Sequence, residues 1–177
     1  MKHTYVAFLR GINVGGNTKI SMAILKKTMQ EARFDNVQTV LNSGNIVFAS
    51  SQAAKEAKKT IESLIEKTFG FHCEVLIRQG QELQKLVAED PFQHGVQDPQ
   101  VRCHVTFFSS SPPVHTAIAS DSHVTIVPST GNEVCWKVFL SDSFGTTEAM
   151  NILEKNYGKN ITTRTWKTIL KIVQLLS

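Results

Sequence analysis

The sequence predicts an α+β protein built from two βαββαβ halves. Over the first 80 residues, segments with strand and helix periodicity alternate as strand, helix, strand, strand, helix, strand. Part of this order recurs after residue 100, which indicates an internal duplication. Apolar residues make up 41% of the 177 residues, enough for a sizeable core. We therefore expect two ferredoxin-like halves packed together, residues 1–80 and residues 81–177.

The first half contains clear strand and helix patterns. The predicted strands are Tyr5–Arg10, Val37–Leu41, Ile46–Ala49 and Cys73–Arg78, and the predicted helices are Met22–Arg33 after an N-cap at Ser21 and a second helix after an N-cap at Ser51. Along the first strand, Tyr5, Ala7 and Leu9 are apolar on one face, and so are the residues on the other face. We therefore expect both faces of this sheet to be covered.

The second half repeats the pattern less completely. Its predicted helices are Gln81–Glu89, Val114–Ala119 and Thr147–Tyr157, and its predicted strands are Arg102–Phe108, Val124–Val127 and Val134–Leu140. We expect this copy to end in a long helix from about Thr163 to Leu176, with Thr162 or Thr163 as its N-cap. Trp166 and Ile169 lie on the predicted buried stripe of that helix.

A glycine-rich segment, residues 10–17 (RGINVGGN), separates the first strand from the first helix. A strand, a turn with free backbone N–H groups and a helix N-terminus together form a typical site for an anion, usually a phosphate. In a βαββαβ unit, the turn between the second and third strands lies at the same edge of the sheet. The segment and that turn are therefore expected to share one polar concavity.

The predicted site combines backbone amides, side-chain amides and cations. The candidate ligand-binding residues are Arg10, Gly11, Asn13, Gly15, Gly16, Asn17, Lys19, Ser43 and Asn45, with Thr163 and Arg164 added from the start of the predicted C-terminal helix. Gly11, Gly15 and Gly16 are expected to present backbone donors. No Asp or Glu lies near the loop cations in the sequence, so we expect a pocket without a compensating acid.

The net charge of +4 is distributed unevenly. Residues 1–30 and residues 155–177 each contain five basic side chains and no acid, whereas residues 31–154 have a net charge of −6. If both ends meet on one surface, they steer an anionic partner to it. The expected partner is a phosphate-containing small molecule or a nucleic acid.

Several classes of protein are disfavoured. No apolar stretch approaches the roughly 20 residues of a membrane span, and the N-terminus enters a strand pattern at once, so we expect a cytoplasmic protein without a signal peptide or membrane partner. The three cysteines are far apart in strand-like runs and are expected to be reduced. The six histidines show no metal-ligand spacing, and no metal or cofactor is indicated.

No catalytic motif is recognisable, and neither a nucleophile elbow nor a P-loop lysine occurs. Three functions remain open at this point. The chain binds a phosphate-bearing ligand at the glycine-rich segment, acts as an enzyme on a small phosphorylated metabolite, or serves as a protein-interaction module without ligand chemistry. The sequence gives neither the ligand, nor the catalytic residues, nor the oligomeric state.

Three segments resemble a bacterial family known as domain of unknown function 1697. They are LRGINVGG at Leu9–Gly16, SGN followed by two apolar residues and Phe at Ser43–Phe48, and a TTRNW-like segment at Thr162–Trp166. The resemblance implies two ferredoxin-like halves and implies no activity. The chain departs from the family pattern at Thr165, where the family usually has Asn.

Overall fold

The computed structural model describes residues 1–13, 18–93, 98–109 and 123–176. Eight strands and five helices lie within these ranges. The strands are β1 His3–Leu9, β2 Asp35–Val40, β3 Asn45–Ser50, β4 Val75–Gln79, β5 Val101–Phe108, β6 Val124–Val127, β7 Glu133–Phe139 and β8 Ile161–Thr165. The helices are α1 Met22–Glu31, α2 Ala54–Phe69, α3 Gly80–Glu89, α4 Thr146–Tyr157 and α5 Trp166–Val173.

The strands form two four-stranded antiparallel sheets. The first has the order β2-β3-β1-β4 and the second has the order β6-β7-β5-β8. In the first sheet, Phe8 of β1 is opposite Asn45 of β3, and Leu9 is opposite Val75 of β4. Matching β5–β8 to β1–β4 in chain order gives the same strand order in both sheets. The protein is therefore α+β, as predicted.

Contacts between residues divide the molecule into two units. The first unit consists of Met1–Gln84 and Leu170–Ser177, and the second unit consists of Lys85–Ile169. In the first unit, α1 and α2 pack on the face of the sheet that carries Tyr5, Ala7 and Leu9. Val6 and Phe8 point to the opposite face and are fully buried as well. The prediction that both faces of this sheet are covered is confirmed.

The second unit has its own core on one face of its sheet. Trp136 and Val138 of β7 pack there with Phe108 of β5. Ala149 and Leu153 of α4 are fully buried in the same cluster. These residues fall at helical spacing in α4, so the predicted helix Thr147–Tyr157 is confirmed to within one residue.

The C-terminal segment differs from its prediction. Residues Ile161–Thr165 form β8, an edge strand paired with β5, and the helix begins only at Trp166. Four of these five residues are β-branched, which favours a strand, and β5 offers an open edge for them. The threonine that binds a free backbone N–H at the helix start is Thr165, not Thr162 or Thr163. Its Oγ1 accepts a hydrogen bond from Thr168 N at 3.3 Å.

Other element ends differ by a few residues. The predicted N-cap at Ser21 is confirmed, since its hydroxyl accepts a hydrogen bond from Ile24 N. The predicted cap at Ser51 is wrong: α2 has Ala53 as its N-cap, without a side-chain hydrogen bond. The predicted helix Val114–Ala119 lies outside the residues that the structure describes.

A buried histidine makes the stability of the second unit depend on pH. His104 of β5 is 4% exposed and stacks on Trp136, with ring centroids 4.4 Å apart. Burial lowers its pKa from 6.5 to about 4, and the charge of Arg102 adds to that effect while the Arg102 backbone opposes it. The imidazole is therefore neutral in the folded protein near pH 7.

We expect the wild-type protein to lose about 2 kcal/mol of unfolding free energy through His104 when the pH falls from about 8 to about 5. The unfolded chain binds this proton first, because its pKa is higher. The contribution is therefore complete above pH 6.5 and declines as the pH falls toward 4. Urea unfolding of the wild-type protein and of His104→Phe at both pH values separates the contribution of His104 from that of the carboxylates. Identical pH dependence in the two proteins contradicts the assignment.

Candidate functional site

The loop between β1 and α1 is closed at its base by hydrogen bonds. Asn13 N donates to Thr18 O at 3.0 Å, and the Thr18 hydroxyl donates to Gly11 O at 2.7 Å. Gly11 is exposed and adopts a φ of +65°, a conformation that favours glycine. The predicted contacts Gly15, Gly16 and Asn17 lie in the tip, residues 14–17, outside the described part of the chain.

Asn13 clamps this loop to the β2–β3 hairpin. Its Nδ2 donates to Asn42 O at 2.7 Å and to Ile20 O at 3.2 Å, and its Oδ1 accepts from Ile20 N at 2.9 Å. Its φ of +56° is a left-handed conformation that Asn tolerates better than most residues. The side chain thus fixes the shape of the loop with the groups that were predicted to contact a ligand.

The hairpin turn, residues 41–44, lies against the same loop. Gly44 O accepts a hydrogen bond from Leu9 N at 2.7 Å, so the turn and the end of β1 are joined. Asn45 is fully buried, and its Nδ2 donates to Val40 O at 2.8 Å and to Ser43 Oγ at 3.0 Å. The predicted residues Ser43 and Asn45 therefore lie at the predicted edge, where their side chains close the turn.

Arg10 has an acidic partner, contrary to the expectation of an acid-free pocket. Its Nη1 lies 3.3 Å from Glu74 Oε2, and its backbone N donates to Glu74 O at 3.0 Å. Glu74 directly precedes β4, which pairs with β1, so the fold places it beside the end of β1. Both side chains are about one-third exposed, and such a pair is worth about 1 kcal/mol or less.

Lys19 is the second cation of the loop. It is exposed, next to the Thr18 anchor, and forms no ion pair with any other residue that the structure describes. The first turn of α1, which begins three residues later at Met22, contains no acidic side chain. The positive end of the helix dipole and Lys19 therefore lie close together in the chain without an acid between them.

Two large apolar side chains are exposed around this loop. Leu41, the first residue of the hairpin turn, is 49% exposed, and Ile24, in the first turn of α1, is 52% exposed. Leu41 also has a φ of +58°, which costs a non-glycine residue about 1–2 kcal/mol. The other non-glycine residues with positive φ in the described ranges are all polar, namely Asn13, Arg33, Asn36, Asp90 and Gln93.

Thr163 and Arg164 lie in the second unit, within β8, and do not form the predicted helix N-terminus. The Thr163 hydroxyl is hydrogen-bonded to that of Thr106 at 2.7 Å, and Thr106 Oγ1 also accepts from Trp136 Nε1 at 3.0 Å. Arg164 Nη1 donates to Thr163 O at 2.8 Å. Because neighbours on a strand point to opposite faces, these two side chains leave the sheet on different sides.

Sequence reasoning missed three partners that shape the loop, Glu74, Thr18 and Asn42, and the conformation of Leu41 in the neighbouring turn. A signal was available for Glu74, since the predicted βαββαβ order already places the fourth strand beside the first. The roles of Thr18 and Asn42 depend on backbone carbonyls that only the folded loop brings together. No pattern in the sequence indicates the left-handed conformation of Leu41.

The described residues contain no group of three or more His, Cys, Asp or Glu side chains that could hold a metal ion. Within those same ranges, no helix has both the length and the apolar character needed to cross a membrane.

Comparison with known proteins covers both the sequence and the fold. A sequence model described as "Protein of unknown function (DUF1697)" matches residues 1–128, a range that includes the β1–α1 loop and the hairpin. Among solved structures, the conserved bacterial protein SP0830 from Streptococcus pneumoniae is similar, with 23% identity, a TM-score of 0.77 and full coverage of both chains. That likeness shows a shared fold. No curated protein matches the chain.

Proposed function

The chain belongs to the DUF1697 family, and from this premise we propose that it binds a phosphate-bearing ligand, a nucleotide or a nucleic acid, at the β1–α1 loop. We further propose that its two halves are ferredoxin-like copies of one unit. The common strand order of the two sheets supports that interpretation.

The observation that carries the proposal is the closed base of the loop. A 3.0 Å hydrogen bond joins Asn13 N to Thr18 O, and Asn13 is clamped in turn to Ile20 and Asn42. Four residues, two of them glycines, span the tip between these anchors. A loop with fixed ends loses less conformational entropy when it binds a ligand, which raises affinity. Glycine backbone donors suit an anion.

The charges near the loop favour the same ligand. A helix N-terminus contributes about 0.3–1 kcal/mol toward a nearby anion, and each charge-assisted hydrogen bond adds about 1.5–3 kcal/mol. Arg10 and Lys19 are the available cations, and Glu74 offsets part of the Arg10 charge. In this proposal Gly11, Gly15, Gly16 and Asn17 contact the phosphate. Asn13, Ser43 and Asn45 hold the rim.

Titration with inorganic pyrophosphate tests this assignment. We expect Arg10→Gln and Lys19→Gln each to weaken binding about tenfold or more, because each removes a charge-assisted hydrogen bond. Glu74→Gln is expected to strengthen binding about twofold to fivefold, since it removes a carboxylate 3.3 Å from the Arg10 guanidinium. The measurement is isothermal titration calorimetry at low ionic strength.

Lys27→Gln is the matched control. Lys27 is an exposed lysine of α1, outside the loop, and lies 3.9 Å from Glu31. Its replacement is expected to leave pyrophosphate binding within about twofold, because a screened surface charge contributes little. Equal losses for Lys19→Gln and Lys27→Gln mean general charge attraction and no site. Absence of pyrophosphate binding by the wild-type protein rejects the proposal.

A further inference from the structure

We infer that the first unit holds a second site, a polar cavity beside Gly80 that takes an uncharged, planar heteroaromatic ring of about the size of a nucleobase. This cavity is separate from the proposed phosphate site. It lies at the start of β1, whereas the β1–α1 loop follows the end of that strand, and the seven residues of β1 span about 20 Å between them.

The cavity has a volume of about 250 Å³ and is formed within the first unit. Its walls come from the start of β1, from the junction of β4 and α3, and from the C-terminal segment. The lining side chains, most of them polar, include Lys2, His3, Gln79, Gln81, Gln84 and Leu176. A cavity of about 150 Å³ holds benzene, so this one has room for a fused ring system.

The junction of β4 and α3 has a counterpart in the second unit. β4 and β8 are five-residue edge strands that lead directly into a helix, α3 at Gly80 and α5 at Trp166. The fourth residue of each strand is an arginine whose Nη1 donates to the carbonyl oxygen of the preceding residue, at 3.1 Å for Arg78 and 2.8 Å for Arg164. Gly80 and Trp166 therefore occupy matching positions.

An indole ring fills this position in the second unit, and a glycine leaves it open in the first. Trp166 is 6% exposed and packs edge-to-face on Phe92, which follows α3, with ring centroids 5.1 Å apart. The residue that faces Gly80 is Leu176, which follows α5, and a Cβ built on Gly80 lies 3.1 Å from Leu176 Cδ2. The cavity thus lies where the matching unit has an aromatic ring, so a planar ring suits its shape.

The polar walls favour a heteroaromatic ring over a hydrocarbon. A glutamine amide carries two N–H donors and an acceptor oxygen, and one hydrogen of Gln84 is used at 3.2 Å on Leu176 O. Such an amide pairs with the adjacent donor and acceptor on one edge of adenine. Lys2 lies 2.8 Å from Asp35, so the cation at the wall has its own counter-charge and the ligand needs none.

Calorimetric titration with adenine tests the inference. We expect the wild-type protein to bind adenine about tenfold tighter than indole, because adenine pairs with the glutamine amides. Gly80→Trp, which copies the second unit, is expected to weaken adenine binding at least tenfold without lowering the melting temperature. Gly80 has no left-handed φ, and the side-chain atom in the way is the flexible end of Leu176.

A second variant keeps the volume of the cavity and removes one amide. Gln81→Leu is expected to weaken adenine binding about threefold to tenfold and to leave indole binding unchanged. Ser63→Trp is the matched control, since Ser63 is an exposed residue of α2 that does not line the cavity. It adds a tryptophan elsewhere on the first unit and is expected to leave adenine binding within about twofold.

Three results overturn the inference: no binding of adenine to the wild-type protein, indole binding as tight as adenine binding, or equal adenine binding by the wild-type protein and Gly80→Trp. Pyrophosphate binding is expected to be the same in those two proteins, so failure of the phosphate site is seen separately. AMP distinguishes the sources of the ring: tighter binding than adenine identifies a nucleotide, and equal or weaker binding identifies a free base.

Discussion

Replacing Gly44 with alanine is expected to lower the free energy of unfolding by about 2–5 kcal/mol. Gly44 has a φ of +76°, and a Cβ atom added there falls 2.7 Å from Leu9 Cβ and 2.7 Å from Ile12 Cδ1. Leu9 is paired in the centre of the first sheet and is 1% exposed, so its Cβ cannot move aside. The variant therefore combines backbone strain with overpacking.

Gly70→Ala provides the matched control for this prediction. Gly70 has a similar φ of +79°, but a Cβ there meets no atom within 4 Å. Its replacement is expected to cost about 1–2 kcal/mol, from the backbone alone. Urea unfolding of both variants measures the difference that is due to the close contact. Equal destabilisation contradicts the tight packing of the hairpin turn against Leu9 and Ile12.

The contact at Gly44 also explains part of the hairpin motif in physical terms. The glycine lets the turn approach Leu9 and Ile12, and its carbonyl accepts the Leu9 N–H at 2.7 Å. Asn45 then closes the turn by donating to Val40 O and Ser43 Oγ. The SGN segment thus fixes the position of the hairpin beside the loop, which is a structural role that the sequence pattern did not distinguish from ligand contact.

Periodicity predicted most of the elements, because burial on one face leaves a regular trace in the sequence. The strand Val124–Val127 matches its prediction, and α4 starts one residue early. Residues 161–165 form a strand only because β5 presents an unpaired edge, a tertiary condition that local propensity does not report. The predicted C-terminal helix therefore included residues that belong to β8.

The predicted meeting of the loop and the hairpin follows from strand order, and the hydrogen bonds from Asn13 to Asn42 and from Leu9 to Gly44 join the two in the structure. The roles of individual side chains were harder to predict. Whether an asparagine contacts a ligand or a backbone carbonyl depends on distances of a few tenths of an ångström. Charge compensation had the same problem, since Arg10 and Glu74 are 64 positions apart and meet only through sheet pairing.

The fold changes the charge distribution that the sequence suggests. Three of the five basic residues in the acid-free stretch 1–30 have acidic partners in space: Lys2 with Asp35, Arg10 with Glu74, and Lys27 with Glu31. In the C-terminal stretch, Lys155, Lys159, Lys167 and Lys171 are exposed. Like Lys19 and Lys26, these four lysines form no ion pair with another residue that the structure describes, so each is available to a polyanion on the surface of its own unit.

A nucleic-acid ligand is expected to show a steep dependence on salt. If about five phosphates are neutralised, the slope of log affinity against log salt concentration is about −4.5, so affinity for duplex DNA falls about 500-fold between about 50 mM and about 200 mM salt. Fluorescence anisotropy with a labelled duplex measures this slope. Lys155→Gln combined with Lys159→Gln is expected to make it shallower by about 1.8, because each lysine accounts for about one phosphate.

The slope also separates the two kinds of ligand that we propose for the loop. In the proposed site a single nucleotide meets the charges of Arg10 and Lys19, so its affinity is expected to change with a slope of about −1 to −2. Glu74→Gln is then expected to change the affinity for the nucleotide more than the affinity for the strand. Arg10, the cation that Glu74 offsets, supplies a larger share of the charge in a small site. A shallow slope with duplex DNA, unaffected by replacement of Lys155 and Lys159, rejects the polynucleotide and leaves the small phosphate-bearing ligand.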